Sequence, residues 1–417
     1  LHLSVHSFPT RRSSDLENSF NAELVIINTC AFILPAREEA LDTLWSYVGL
    51  KEENPGLRIA VAGCLVQGFG REIKEGFPEI DYWIEGPDDS SALAEILRDY
   101  GLKPTKRSEG FIARKRLFGE TGSAYLKVAR GCSNCCSYCS IPQIKGPLRS
   151  RSLDSIDEEA KHLCDIGIKE VVLVAQDLAA YGSEGDSTSK LPHLLERVLA
   201  HPFRWVRLMY VHPKWVDPDF ISMMNSDGRI CPYLDIPFQH AHSRVLQLMG
   251  RQGSKEEYLR LLDELRENIP RIAIRTTLIS GHPGEGSKEF DELMNFVERA
   301  KFEWLGVFPY MPEEGTPSSR LSNGTSQEEA MHRAGLIEEC FRGARDVSAF
   351  ALGSEKDALV IDDVDDILIC RSASEAPEVD GVIMVKKDGA ELPRPGDLTS
   401  LIVTDLDDFD FVGRLLR

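Results

Sequence analysis

Between Gly131 and Pro142 the chain reads GCSNCCSYCSIP, which sets Cys132, Cys136 and Cys139 at the spacing C-x3-C-x2-C, with the aromatic Tyr138 just before the last. Three thiolates on one tight loop can hold three irons of a four-iron cluster and leave the fourth iron open to an outside ligand. Cys135 permits a second register, C-x2-C-x3-C, and the four together permit a tetrahedral zinc site. Structural zinc usually takes two ligand pairs well separated in sequence, and four cysteines so close make a cramped tetrahedron. The cluster is therefore the expected occupant, with zinc or inert thiols as the alternatives. Cys164, Cys231, Cys340 and Cys370 sit within helix or strand patterns and read as small core residues.

A frame must hold that loop. From Lys103 to Arg116 a polar, basic linker leads into six apolar strands: Tyr125 to Ala129, Glu170 to Ala175, Trp205 to Val211, Tyr233 to Phe238, Arg271 to Ile279 and Trp304 to Tyr310. Helical patterns such as Ser155 to Asp165 and Glu289 to Ala300 fill the gaps. Six β/α repeats make an open (β/α)6 barrel, a partial relative of the eightfold one, with its chemistry at the C-terminal strand ends. The cysteine loop follows the first of these strands. Ahead of the barrel, LVIINT (Leu24 to Thr29), RIAVAG (Arg58 to Gly63) and YWIEG (Tyr82 to Gly86) alternate with helices such as Pro35 to Val48. That alternation implies a doubly wound parallel sheet, so the class is α/β.

After a long helix, about Ser326 to Ala349, the tail changes character. Ala358 to Ile361, Ile367 to Cys370, Gly381 to Val385 and Ser400 to Val403 are short strands with turns between them, as in a small all-β, OB-like barrel. Residues 354–417 carry sixteen acidic and seven basic side chains, about half of the chain's net charge of -19. So acidic a chain is a poor generic binder of phosphate backbone and suits a basic protein partner, although on charge alone the preferred reading is that acidity merely keeps the protein soluble. The DDVDD run (Asp362 to Asp366) reads as a solvated face. No apolar run approaches the ~20 residues of a membrane span, and no membrane association is expected. Ten cysteines without a secretory segment point to a reducing, cytoplasmic setting.

Residues 1–16, LHLSVHSFPTRRSSDL, show no apolar periodicity, and His6 to Leu16 is what one frame of a short-read sequencing adapter encodes. They are read as non-native sequence standing where a native N-terminus has been lost, and are set aside from the fold. The expected domains are then 17–105 (incomplete), 118–350 and 354–417.

The cysteine loop and its surroundings resemble the methylthiotransferases of the radical S-adenosylmethionine (SAM) superfamily, over about Glu17 to Arg417. NTCAF (Asn28 to Phe32) and AGCL (Ala62 to Leu65) look like two of that family's three N-terminal cysteine motifs. The resemblance implies two 4Fe–4S clusters. One, on Cys132, Cys136 and Cys139, would bind SAM at its open iron. The other, carrying the sulfur to be inserted, would be held by Cys30 and Cys64. The family's third auxiliary cysteine would lie upstream, where residues 1–16 now stand, so this second cluster lacks one ligand here. Without the family, Cys30 and Cys64 would read as buried small hydrophobes.

Within that family the substrate is either a tRNA adenosine or the β-carbon of an aspartate in small-subunit ribosomal protein twelve. CSYCSIP, KGPLRSR (Lys145 to Arg151), VAQDLAAYG (Val174 to Gly182), RLMYVHP (Arg207 to Pro213), PYLDIPFQHA (Pro232 to Ala241) and the tail segment CRSASEAPEVDG (Cys370 to Gly381) resemble the ribosomal-protein branch. The tail resembles a TRAM domain, acidic here and basic in tRNA-modifying relatives. The partners implied are the basic ribosomal protein and an electron donor such as a flavodoxin. Tyr138, Gln176, Asp177, Asp235, Gln239 and Glu285 are candidate SAM contacts, each equally readable as a structural polar group at a barrel end. His212, His240 and His242 read as structural. A non-catalytic iron–sulfur or zinc protein that binds ribosomes through its acidic tail is the alternative of another class.

Overall fold

The computed structural model describes residues 3–7, 22–86, 90–101, 120–185, 188–322, 324–350, 352–388 and 392–416. The linker Lys103 to Arg116 lies outside the described residues. The chain forms two compact units, the first made of 1–107, 138–147 and 311–319 and the second of 108–137, 148–310 and 320–417.

In the first unit, strands β1 (Leu3–Ser7), β2 (Leu24–Thr29), β3 (Arg58–Gly63) and β4 (Tyr82–Ile84) lie in that order in a parallel sheet. Helices α1 (Leu34–Glu53), α2 (Cys64–Gly76) and α3 (Ser90–Asp99) connect and follow them. The backbone of Leu3–Ser7, within the stretch set aside above, takes part in this sheet whatever its origin. The physical reason is that β2 would otherwise present a row of unpaired N–H and C=O groups. Val25, Ile27, Ile59 and Val61 are buried, as a covered parallel sheet requires. The N-cap of α1, Ile33, offers no side-chain acceptor. Glu313 supplies it instead, taking the Leu34 amide at 2.9 Å and Arg37 Nη2 at 2.6 Å.

The second unit holds a six-stranded parallel sheet in the order β12-β11-β10-β9-β8-β5, the open barrel expected from the spacing. Its strands are β5 (Ser123–Lys127), β8 (Glu170–Val174), β9 (Trp205–Leu208), β10 (Ile230–Asp235), β11 (Ala273–Ser280) and β12 (Trp304–Pro309). A short antiparallel pair, β6 (Ala129–Arg130) with β7 (Arg149–Ser150), brackets the cysteine loop and the short helix α4 (Ile141–Lys145). Alternate residues divide the sheet's two faces. Val171, Leu173, Val206, Leu208, Leu234 and Ile274 pack under the helices, while Val172, Trp205, Tyr233 and Trp304 turn to the other side. That other side is continuous with the core of a closed five-stranded barrel, β13 (Glu355–Val364), β14 (Ile367–Ser372), β15 (Ile383–Lys386), β16 (Leu398–Asp407) and β17 (Asp410–Leu415). The last of these strands is an addition to those read from the sequence.

The segment after β14 accounts physically for the tail signature RSASEAPEVDG. Arg207 donates to the Glu170 carboxylate at 2.8 Å and to the Ala373 and Ser372 carbonyls. Arg371 grips Glu170 and, at 2.7 Å, Glu120. The Trp304 indole donates to the Ser374 carbonyl at 2.8 Å, the Tyr125 hydroxyl to the Pro377 carbonyl at 3.0 Å, and the Tyr233 hydroxyl to Asp380 at 2.7 Å. Glu170, Trp205 and Trp304 each open a barrel strand, so the small barrel seals the N-terminal strand ends. The opposite ends are left for chemistry.

Candidate active site

The cysteine loop begins at Gly131, whose φ of 71° lets the chain turn out of β6. All ten cysteines are free thiols. Burial pushes the Cys132 thiol up, and its sulfur accepts the Asn134 amide at 3.4 Å.

Two groups of contacts hold the loop. At its front, Asn134 Nδ2 donates to Asp177 Oδ2 at 2.8 Å, and Lys214 Nζ donates to the Asn134 side-chain oxygen. The same Asp177 oxygen accepts the Trp215 indole N–H at 3.1 Å, while its partner accepts the His212 amide at 3.4 Å. At its rear, the Ser137 amide donates to the Met249 carbonyl at 2.9 Å and its hydroxyl to the Leu248 carbonyl at 2.6 Å. Gly250, at φ 70°, lies so close that a Cβ there would sit 2.5 Å from the Cys135 carbonyl. Arg251 Nη1 reaches the Cys136 sulfur at 3.8 Å. Cys135 is exposed, its sulfur 4.0 Å from the Ser133 carbonyl.

The other expected residues fall into distinct settings. Gln176 is exposed at the end of β8, and Tyr138 is half-buried. Asp177 is 2% exposed and surrounded by the protein donors just named. Glu285 is buried with both oxygens engaged: the Gly281 amide at 3.0 Å and Arg333 at 2.7 Å on one, the His240 ring at 3.2 Å on the other. Burial alone would raise that carboxyl, but His240 and Arg333 hold it below its ordinary value. Gln239 takes a left-handed φ of 71° and bridges to β11 through its amide and carbonyl. Asp235 is 1% exposed; Arg275 meets Oδ1 at 3.4 Å, while Oδ2 is buried with no hydrogen-bond partner among the described residues. Burial raises its carboxyl, with Arg275 opposing. His212 is kept neutral, held down at about 2 by burial and then by Arg251 and Lys214. His240 and His242 accept backbone amides at 2.9 and 3.2 Å, as structural histidines do.

In the first unit, Cys30 follows β2 and Cys64 opens α2, so the two stand at the C-terminal ends of neighbouring parallel strands. Gly63 allows the close approach, since a Cβ there would lie 2.2 Å from the Thr29 carbonyl. The neighbouring Cys30 thiol, with Lys145 adding to it, holds Cys64 down against burial, while Cys64 and burial push Cys30 well up. Lys145, itself fixed by Gln67 at 2.7 Å, brings a cation to this pair.

Sequence reasoning missed Asn134, Lys214, Arg251 and Lys145. Only proximity to the cysteine motif marked Asn134. Among the described residues no three His, Cys, Asp or Glu side chains converge as ligands of a single ion would. The thiols of a cubane each bind a different iron and need no such convergence. Cys132 and Cys136 are free thiols on one braced stretch, with a guanidinium beside Cys136, and thiols are the donor type an iron–sulfur cluster takes.

Comparison with known proteins adds lineage to this geometry. The family model described as the radical SAM superfamily matches residues 126–297, that of uncharacterized protein family UPF0004 residues 6–85, and that of the TRAM domain residues 352–416. The chain is 36% identical over 410 residues to ribosomal protein uS12 methylthiotransferase RimO of Trichlorobacter lovleyi, covering 95% of this chain and 90% of that one. The same enzyme of Thermotoga maritima is 37% identical (95% and 92% covered), and that of Moorella thermoacetica 39% (99% and 93%). Among solved structures, the radical SAM methyltransferase TsrM of Kitasatospora setae matches with a TM-score of 0.54 at 16% identity, covering 73% of this chain and 68% of that one. That likeness concerns the fold alone.

Proposed function

This chain belongs to the ribosomal protein uS12 methylthiotransferases, radical SAM enzymes, and from that premise we propose how its residues divide the work. Cys132, Cys136 and Cys139 hold a 4Fe–4S cluster whose open iron takes SAM, and Cys30 and Cys64 hold an auxiliary cluster. The observation that carries the reading is the braced three-cysteine loop at the C-terminal end of the first barrel strand. When bound, these groups supply the radical that removes hydrogen from the unactivated β-carbon of a uS12 aspartate and the methylated sulfur that replaces it.

What the protein itself supplies is placement. Asp177, through Asn134, fixes the front of the cysteine loop, so its carboxylate acts as a positioning group. Glu285 does the same for the turn Gly281–Glu285 and for His240. Asp235 is the stronger candidate for direct contact, because a buried, unpartnered oxygen at a strand's C-terminal end suits a ligand N–H or O–H. Gln176 and Gln239 stand at strand ends of the barrel, and Tyr138 on the cysteine loop. Lys145 favours thiolate at Cys64, the form that binds iron.

The basic uS12 substrate suits the acidic chain, whose charge disfavours tRNA, and an electron donor such as a flavodoxin serves the cluster. No helix among the described residues is long and apolar enough to cross a membrane; a cytoplasmic setting is our reading. Iron counting on anaerobically reconstituted protein tests the ligand assignment. Cys30→Ser with Cys64→Ser should lower bound iron while leaving SAM cleavage to 5′-deoxyadenosine intact. Unchanged iron in that double variant would remove Cys30 and Cys64 from the auxiliary site.

A further inference from the structure

The helix Ser243–Leu248, which follows β10, ends in a segment that touches the cysteine loop at every residue from Leu248 to Arg251. The Leu248 and Met249 carbonyls hold Ser137, and Gly250 packs on the Cys135 carbonyl. Arg251 comes last, its amide tied to the Leu246 carbonyl at 2.8 Å. The residue is 6% exposed, with Nη2 on the Pro237 carbonyl at 2.7 Å and Nη1 on the Cys136 sulfur at 3.8 Å. A buried cation is thus held by one hydrogen bond on a cysteine sulfur and by another on a main-chain carbonyl, both from one rigid fork.

We propose that Arg251 is a positioning residue that sets the reduction potential of the barrel cluster; the inference rests on the ligand reading above. An N–H donor on a thiolate sulfur, and a positive charge in a water-poor surrounding, both favour the more negative cluster. Reduction adds one electron from the external donor and forms no bond. Arg251 neither gives nor takes that electron, but makes the reduced form easier to reach. Neutralising it therefore moves the midpoint potential to more negative values. The Pro237 contact explains why the guanidinium stays on the sulfur: its second nitrogen is anchored on the main chain of the strand end it faces.

The test is a redox titration of reconstituted, SAM-free protein, followed by the reduced-cluster signal in electron paramagnetic resonance and normalised to bound iron. Arg251→Gln should show about a tenfold smaller reduced-to-oxidised ratio at equal ambient potential, ~59 mV more negative for a one-electron couple. Arg251→Lys, which keeps the charge but not the fork, should fall between Arg251→Gln and the unaltered protein. It also guards against a folding failure in the glutamine variant. A purely structural arginine would change iron loading and leave the potential alone. A midpoint equal to that of the unaltered protein, in whichever variant holds iron, overturns the proposal. Absence of a cluster from the unaltered protein would instead overturn the ligand reading beneath it.

Discussion

Alanine at Cys132, Cys136 or Cys139 is expected to abolish SAM cleavage and remove the barrel cluster's iron, whereas Cys135→Ala leaves both close to the unaltered level. On the proposed assignment each of the three thiolates holds one iron, and Cys135, exposed beside Cys136, is the one neighbouring thiol that offers another register. No partial activity should survive, because a C–H bond without an acidic proton offers nothing to a side-chain base. Cys135 differs from Cys136 in its surroundings. Its side chain is exposed while its carbonyl packs against Gly250, whereas the Cys136 sulfur meets Arg251. Iron per chain and 5′-deoxyadenosine formed under dithionite measure the effect. If Cys135→Ala is as damaging as the others, the ligands follow C-x2-C-x3-C instead.

The second large effect lies at the other end of the barrel. Glu170 is fully buried between Arg207 and Arg371, so Glu170→Gln leaves two buried guanidiniums short of their counter-charge. Breaking such a network from one side costs about 3–5 kcal/mol, to be read from urea unfolding. A loss below about 1 kcal/mol would show that the network adds little. Burial alone would raise the Glu170 carboxyl, but Arg371 and Arg207 hold it at about 2, against an ordinary 4.5. With the folded value depressed, its contribution is fully present above pH 4.5 and is lost as pH falls toward 2. Melting temperature against pH should therefore slope less steeply across that window in Glu170→Gln.

Much of this frame was legible in the residues. Strands such as Glu170–Val174 and Trp304–Pro309 announce themselves as short apolar runs between helical patterns, and their even spacing dictates a parallel barrel. The strand Asp410–Leu415 escaped notice because acidic and glycine residues interrupt its apolar positions. Asp177 was legible as a polar residue at a strand end, but its partners come from Asn134 and Trp215, which meet it only in the folded chain. Arg251 carried no signal at all, since its contact with Cys136 depends on where a helix ends. The tail signature was recognisable as a pattern, yet its reason is tertiary: its backbone carbonyls and Asp380 receive Arg207, Trp304, Tyr125 and Tyr233 from the barrel strands.

The most direct test of the whole account is mass spectrometry of ribosomal protein uS12 from cells with and without an intact copy of this gene. The account predicts a uS12 peptide whose aspartate carries one methylthio group in place of hydrogen when the gene is present. That modification should vanish without the gene, return when it is restored, and stay absent when it is restored as Cys136→Ala. Unmodified uS12 in every strain, with methylthio groups on tRNA adenosine that follow the gene instead, would contradict it.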